Sequence, residues 1–173
     1  MRQIIKKYHR ALWIVLTLSM AGCDNNATND AITENMAYIN NAYEKKFTNI
    51  NVDKPDVKIL VPVNITRKDD TRDIRIALAA TTEQLDLFNK TYNQEYVFLP
   101  TELWRFDPDT VTVRKGITRT YTIIHIDSIT PQLKKTGKTY ALPVALKHAD
   151  GIGIMKGADQ MIYVLRDTTP HIH

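Results

Sequence analysis

Apolar residues recur at every second position through much of the chain beyond residue 56, and this period commits it to a sheet. Between Asp56 and Arg67, the residues Val57, Ile59, Val61, Val63 and Ile65 share one face, while Lys58, Pro62, Asn64 and Thr66 take the other. Successive side chains of a strand point to opposite faces, so such a segment buries one side and wets the other. Ile74, Ile76 and Leu78 repeat the pattern, as do Val111 with Val113 and the set Tyr140, Leu142, Val144, Leu146 and His148. Thr118 to Asp127 is a β-branched run in which both faces look partly buried, and Gln160 to Arg166 closes the series. With weaker segments at Ala37 to Ala42 and Phe47 to Val52, these predict about seven or eight short strands, a number and spacing that favour a sandwich.

One helix breaks the β pattern. Thr81 and Gln84 have the spacing of a capping box, and Leu85, Phe88 and Tyr92 then fall on one face, predicting a helix over about 82–92 resting on the sandwich. The extended Val97-Phe98-Leu99-Pro100 segment and Trp104-Arg105-Phe106 follow it and are expected to cover the end of the core. Lys115-Gly116 and Asp150-Gly151 have the composition of tight turns, and Gly151 to Gly157 reads as a glycine-rich hairpin. Pro62 and Pro143 each remove one ladder donor, so both are expected at a sheet edge or a bulge.

The N-terminus carries a different signal. Arg2, Lys6, Lys7 and Arg10 precede an uncharged, mostly apolar run from Ala11 to Gly22 that is too short to span a bilayer, which is the layout of a signal peptide over residues 1–22. The chain's one cysteine, Cys23, follows the small pair Ala21-Gly22. This resembles the lipobox of bacterial lipoproteins, in which the thiol is acylated and the cysteine becomes the new N-terminus; Met20 stands where Leu is more usual. An ordinary signal peptide beside an incidental cysteine, or an uncleaved anchor, is the alternative. Residues 23–35 are rich in Asp, Asn, Thr and Ala and are expected to form a flexible tether from the lipidated Cys23. A domain over 36–168 and a disordered tail over 169–173 complete the expected organisation.

Charge is informative once it is placed along the chain. The net charge is +4, from 23 Lys and Arg against 19 Asp and Glu. Four of the basic residues lie in the first ten positions and no acid precedes Asp24, so the segment beyond Cys23 holds 19 of each sign. A neutral domain offers no electrostatic case for nucleic acid. One cysteine excludes an internal disulfide framework.

Several constellations could carry chemistry. His171 and His173 with His148 or Asp167 could bind a metal, His125 lies near Asp127, and Asp107/Asp109 and Asp69/Asp70/Asp73 are acidic pairs or clusters. None comes with a nucleophile or base motif, and acidic turns cap backbone on their own account, so no catalytic residue, metal or cofactor is expected. Tyr92, Tyr96, Trp104 and Phe106 are the candidate ligand-binding residues, because aromatic faces bury the apolar side of a pyranose. Closing the end of the sandwich is the competing role for these four.

Leu87-Phe88-Asn89-Lys90, Tyr96, Leu99-Pro100, Val111-Thr-Val-Arg-Lys-Gly116 and Tyr140-Ala-Leu-Pro143 together resemble the β-sandwich domain of unknown function of Bacteroidetes lipoproteins. That domain stands at the N-terminus of family-18 endo-β-N-acetylglucosaminidase-like and LamG-containing surface proteins, and the resemblance covers about Ala37 to Asp167. It implies a mostly β, immunoglobulin-like antiparallel sandwich and an outer-membrane lipoprotein of the cell envelope, on its periplasmic or surface face, with a link to glycan use. It assigns no catalytic residue. The sequence ends shortly after the last strand, so the module that the longer relatives append is not expected to contribute. The expected function is a non-enzymatic binding or accessory module in glycan capture, held to the membrane by its lipid and contacting a glycan or another envelope protein. A structural or adhesin-like assembly subunit is the alternative.

Overall fold

The computed structural model describes residues 34–67, 71–129, 133 and 135–166. The signal peptide, Cys23, the tether up to Thr33 and the tail lie outside the described residues, as do Asp69, Asp70, Asp167, His171 and His173. Along the chain come β1 (Met36–Ile39), β2 (Phe47–Asn51), β3 (Val57–Ile65), β4 (Ile74–Ala79), α1 (Thr82–Tyr92), β5 (Val97–Phe98) and a 3-10 turn (Thr101–Leu103). Then follow β6 (Trp104–Asp107), β7 (Thr110–Val113), β8 (Arg119–Ile126), β9 (Tyr140–Ala149), β10 (Gly153–Ile154) and β11 (Gln160–Arg166).

These strands make two sheets. One runs β10-β1-β3-β8-β6; the other runs β2-β11-β9-β4-β7, with β5 beside β9. The core lies between them and is filled from both by alternate residues, among them Ile59, Val61 and Val63 of β3, Ile124 and Ile126 of β8, Ile74 and Ile76 of β4, and Leu142 and Val144 of β9. Each such side chain taken out of water contributes about 1.5–3 kcal/mol, which is what the alternation in the sequence secures.

The molecule is the mostly β sandwich that the alternation predicts, with three differences of detail. Eleven strands are present among the described residues, not seven or eight, because β5, β6 and β10 are too short to show a period. Trp104-Arg105-Phe106 is therefore an edge strand, paired with β8 through Trp104 to Asp107, and not simply a cover. Three pairings are parallel, β1 with β10, β2 with β11 and β5 with β9. Within the Gly151 to Gly157 connection, Gly153 and Ile154 leave the β9–β11 hairpin and join β1 in the opposite sheet.

The two strand prolines lie on interior strands, yet at local gaps. Pro62 C=O accepts the Asn40 N–H on the side where β1 has already ended, so the proline nitrogen faces no strand. Along one side of β9, β5 stops opposite Ala141 and β4 reaches only to Ala145, which leaves Pro143 facing the space between them. No ladder bond is lost in either place.

β9 also departs from the one-sided burial expected of it. Its first seven residues are all buried, since Leu142, Val144 and Leu146 face the core while Ala141 lies beneath a second apolar cluster with Leu85 and Phe88 of α1. The small Ala141 lets the helix approach the sheet closely. This helix against the outer face of one sheet positions the candidate site.

Candidate functional site

α1 is held at both ends by local sequence. At its start the expected capping box forms, with the Thr81 N–H donating to Gln84 Oε1 at 3.2 Å. At its end Asn93 takes a left-handed conformation, φ 50° and ψ 53°, and its N–H returns to the Asn89 carbonyl. Burial of Leu85 and Phe88 against Ala141, Ile162 and Val164 fixes the face the helix shows to the sheet. The Phe88-Asn89 pair then gains a physical reading. Asn89 Nδ2 donates to the Tyr96 carbonyl at 2.8 Å and Asn89 Oδ1 accepts the Tyr96 N–H at 3.2 Å, so one side-chain amide pairs with Tyr96 as a neighbouring strand would. Tyr96 is thereby held beside the helix end.

Phe88 is the hub of an aromatic cluster. Its ring centroid lies 4.6 Å from that of Tyr92, 6.2 Å from Tyr96 in a near-parallel stack at 18°, and 6.3 Å from Phe47 at 70°. Phe88 is buried, but Phe47 and Tyr92 keep 45% and 47% of their surface in water, so the cluster forms the floor of a cleft and not a closed core. The cleft encloses about 510 Å³, and Glu44, Lys45, Lys46 and Gln94 complete its wall. A second hollow of about 300 Å³ lies against the same helix, lined by Leu87, Thr91, Gly157, Asp159 and Gln160. Lys46, Phe88 and Tyr92 line both, so the two form one groove divided by Tyr92 and Lys46.

The four aromatics expected to act together are divided between two places. Tyr92 and Tyr96 belong to the cleft. Trp104 and Phe106 meet edge to face at 5.3 Å and pack against the core between the sheets, with Trp104 Nε1 donating to the Leu99 carbonyl at 3.3 Å. Phe47, Phe88 and Lys46 were not anticipated. A strand-start aromatic and a buried helix-face phenylalanine both read as core, and only the parallel pairing of β2 with β11 brings Phe47 next to α1.

The titratable candidates are dispersed. His125 Nε2 lies 3.3 Å from Asp107 Oδ2 on the neighbouring strand, in place of the expected Asp127, which pairs with Arg105 at 3.6 Å. His148 is exposed near the end of β9 and contacts Asp150 at 2.9 Å. Asp73 accepts the Lys115 N–H at 2.8 Å, the backbone-capping role expected of an acidic turn. Among the described residues no group of three His, Cys, Asp or Glu could hold a metal ion, and no helix is long and apolar enough to cross a membrane.

A family model for an N-terminal domain matches residues 33–153, most of the chain and all of α1 with its flanking strands. The chain belongs to this N-terminal domain family. It is the β-sandwich domain of unknown function to which the sequence motifs pointed. No curated protein matches the chain. Among solved structures, members of this fold occur in several Bacteroides proteins. EndoBT-3987 of Bacteroides thetaiotaomicron, crystallised with a Man5GlcNAc product, matches at 19% identity and TM-score 0.64 over 76% of this chain and 30% of its own. A candidate carbohydrate-binding protein of Bacteroides ovatus matches at 14% identity and TM-score 0.62, over 76% of this chain and 37% of its own. A two-domain protein of unknown function from Bacteroides fragilis matches at 15% and 0.59, over 78% and 46%. The chain thus spans less than half the length of these structures, and the likeness is one of fold.

Proposed function

We propose that this N-terminal domain is a non-enzymatic accessory module of an envelope lipoprotein and captures glycan chains in the cleft beside α1. The observation that carries this reading is the half-wet aromatic floor formed by Phe47, Phe88, Tyr92 and Tyr96, walled by Glu44, Lys45, Lys46 and Gln94. Contiguous exposed aromatics are costly in water and mark a surface with a ligand, whereas isolated ones do not. Flat rings take the apolar face of a sugar, the polar wall serves its hydroxyls, and the cleft volume falls in the usual range for small-ligand sites, about 300–1,000 Å³. The neighbours support it: one is a candidate carbohydrate-binding protein and another is an enzyme solved with a glycan product.

A glycan array probed with the full chain tests this reading. Binding to at least one glycan is expected, weakened about tenfold by Tyr92→Ala, the loss of about 1.4 kcal/mol of ring contact. An array without any binder, or a Tyr92→Ala protein that binds unchanged, would contradict it and favour the assembly-subunit alternative.

The anchor is part of the same proposal. Acylation of Cys23 would hold the domain on the outer membrane, on its periplasmic or its surface face, through several acyl chains, each buried CH2 contributing about 0.8 kcal/mol. Cys23→Ser is expected to abolish labelling by a palmitate analogue and to release the protein from the membrane fraction; retention equal to that of the unaltered chain would rule the anchor out.

A further inference from the structure

We propose that the cleft selects an acidic sugar, a pyranose seated on Tyr92 with its carboxylate or sulfate on the Lys46 ammonium. This rests on the glycan reading above and deepens it. Lys46 stands at the divide between the two hollows, and its position is fixed. Its Nζ donates to the Gly157 carbonyl at 2.6 Å and to the Ala42 carbonyl at 3.2 Å, and it lies 5.7 Å from the centroid of the Tyr43 ring. Gly157 presents its carbonyl from a turn at φ 79°, a conformation in which glycine is unstrained.

An ammonium has three donors, and these two carbonyls take two of them. Carbonyls orient the group without neutralising it. The ion pairs found among the described residues, Arg105 with Asp127, His125 with Asp107 and His148 with Asp150, leave Lys46 without a carboxylate. The charge and one donor therefore remain for whatever occupies the groove.

The charges around Lys46 are balanced, so its selectivity rests on its own fixed ammonium. In the larger hollow Lys45 and Lys46 face Glu44, and the Arg166 guanidinium lies 5.9 Å from the Tyr96 ring centroid while its Nε donates to Asn49 Oδ1 at 3.3 Å. In the smaller hollow the one carboxylate is that of Asp159, whose Oδ1 accepts the Gly157 N–H at 3.1 Å and so braces the turn that holds Lys46. Lys45 and Lys46 thus meet one acid in each hollow, Glu44 and Asp159, and Lys46 is the lysine fixed in place by carbonyls. A neutral ligand covering Lys46 replaces the cation's water with uncharged acceptors only, whereas an anionic substituent supplies a stronger, charge-assisted hydrogen bond. The pocket chemistry thus favours an acidic sugar over a neutral one.

Calorimetric titration of the full chain with three probes tests this: a trigalacturonate, its neutral methyl ester and galactose 6-sulfate, which has no carboxylate. At low salt an acidic probe is expected to bind about tenfold more tightly than the ester. Lys46→Met is expected to erase that advantage, so that acid and ester bind with equal affinity. Preference for trigalacturonate alone assigns a carboxylate and preference for the sulfated galactose alone assigns a sulfate. In the unaltered protein the advantage is expected to shrink as ionic strength rises, a readout independent of how well the variant folds. An ester that binds as tightly as the acids at every salt concentration would overturn acid selection and leave the glycan reading standing. Failure of all three probes, together with an array that has no binder, would overturn both.

Discussion

Phe88→Ala is expected to destabilise the domain by about 3–5 kcal/mol, the range for truncating a buried aromatic, and to remove glycan binding with it. The side chain is 4% exposed and touches three other rings, Phe47, Tyr92 and Tyr96, while its base rests on Ala141, Ile162 and Val164. α1 has 11 residues, and isolated helices shorter than about 12–15 residues are marginal in water. Its helicity therefore depends on docking through Leu85 and Phe88. Urea unfolding should show the loss of stability, and hydrogen exchange should show it concentrated in the amides of α1 and Tyr96. Leu87, one residue earlier and 61% exposed, supplies the control: Leu87→Ala is expected to stay within about 0.5 kcal/mol of the unaltered protein. A Phe88→Ala cost below about 1 kcal/mol would mean that the helix is not held by this face.

Leu142→Ala is expected to cost about 2–5 kcal/mol, which is a large part of the roughly 5–15 kcal/mol that holds a domain folded. Leu142 is fully buried on β9, between β11 on one side and β4 with β5 on the other, and packs into the core between the two sheets. Its cross-strand neighbour Tyr163 is buried as well, and burial pushes the phenol pKa above its ordinary value. That ring cannot swing out to fill a void without leaving the core, so relaxation is limited and the upper half of the range is expected. Leu60 has the same side chain on β3, but it lies on the outer face and is 58% exposed. Leu60→Ala should change stability by no more than about 0.5 kcal/mol. Equal costs at the two positions, measured by urea unfolding, would contradict the assignment of inner and outer faces.

The sandwich could be read from the sequence because burial writes itself as a period. Val57 to Ile65 and Ile74 to Leu78 alternate for long enough to show which face is buried, and Thr81 with Gln84 marks the start of the helix. What could not be read depends on contacts distant in the chain. Gly153 and Ile154 are a strand only because Met36 and Ala37 lie beside them. Val97 and Phe98 are one only because β9 runs parallel to them. The site was half legible for the same reason. Tyr92 and Tyr96 are close in sequence and joined through Asn89, and both were expected. Phe47 and Lys46 lie roughly 45–50 residues before them and arrive with the start of β2, and Lys46 owes its fixed position to Gly157, 111 residues away. Trp104 and Phe106 carried the same aromatic signal as the tyrosines, but alternation with Arg105 and Asp107 turns both rings inward.

The most direct test of the cleft is amide and aromatic NMR of the full chain titrated with the glycan that binds best on the array. The account predicts saturable shifts confined to Lys46, Phe47, Phe88, Tyr92, Gln94 and Tyr96, with Trp104 and Phe106 unmoved. Shifts centred on Trp104 and Phe106, or on the edge strands with the cleft silent, would contradict it.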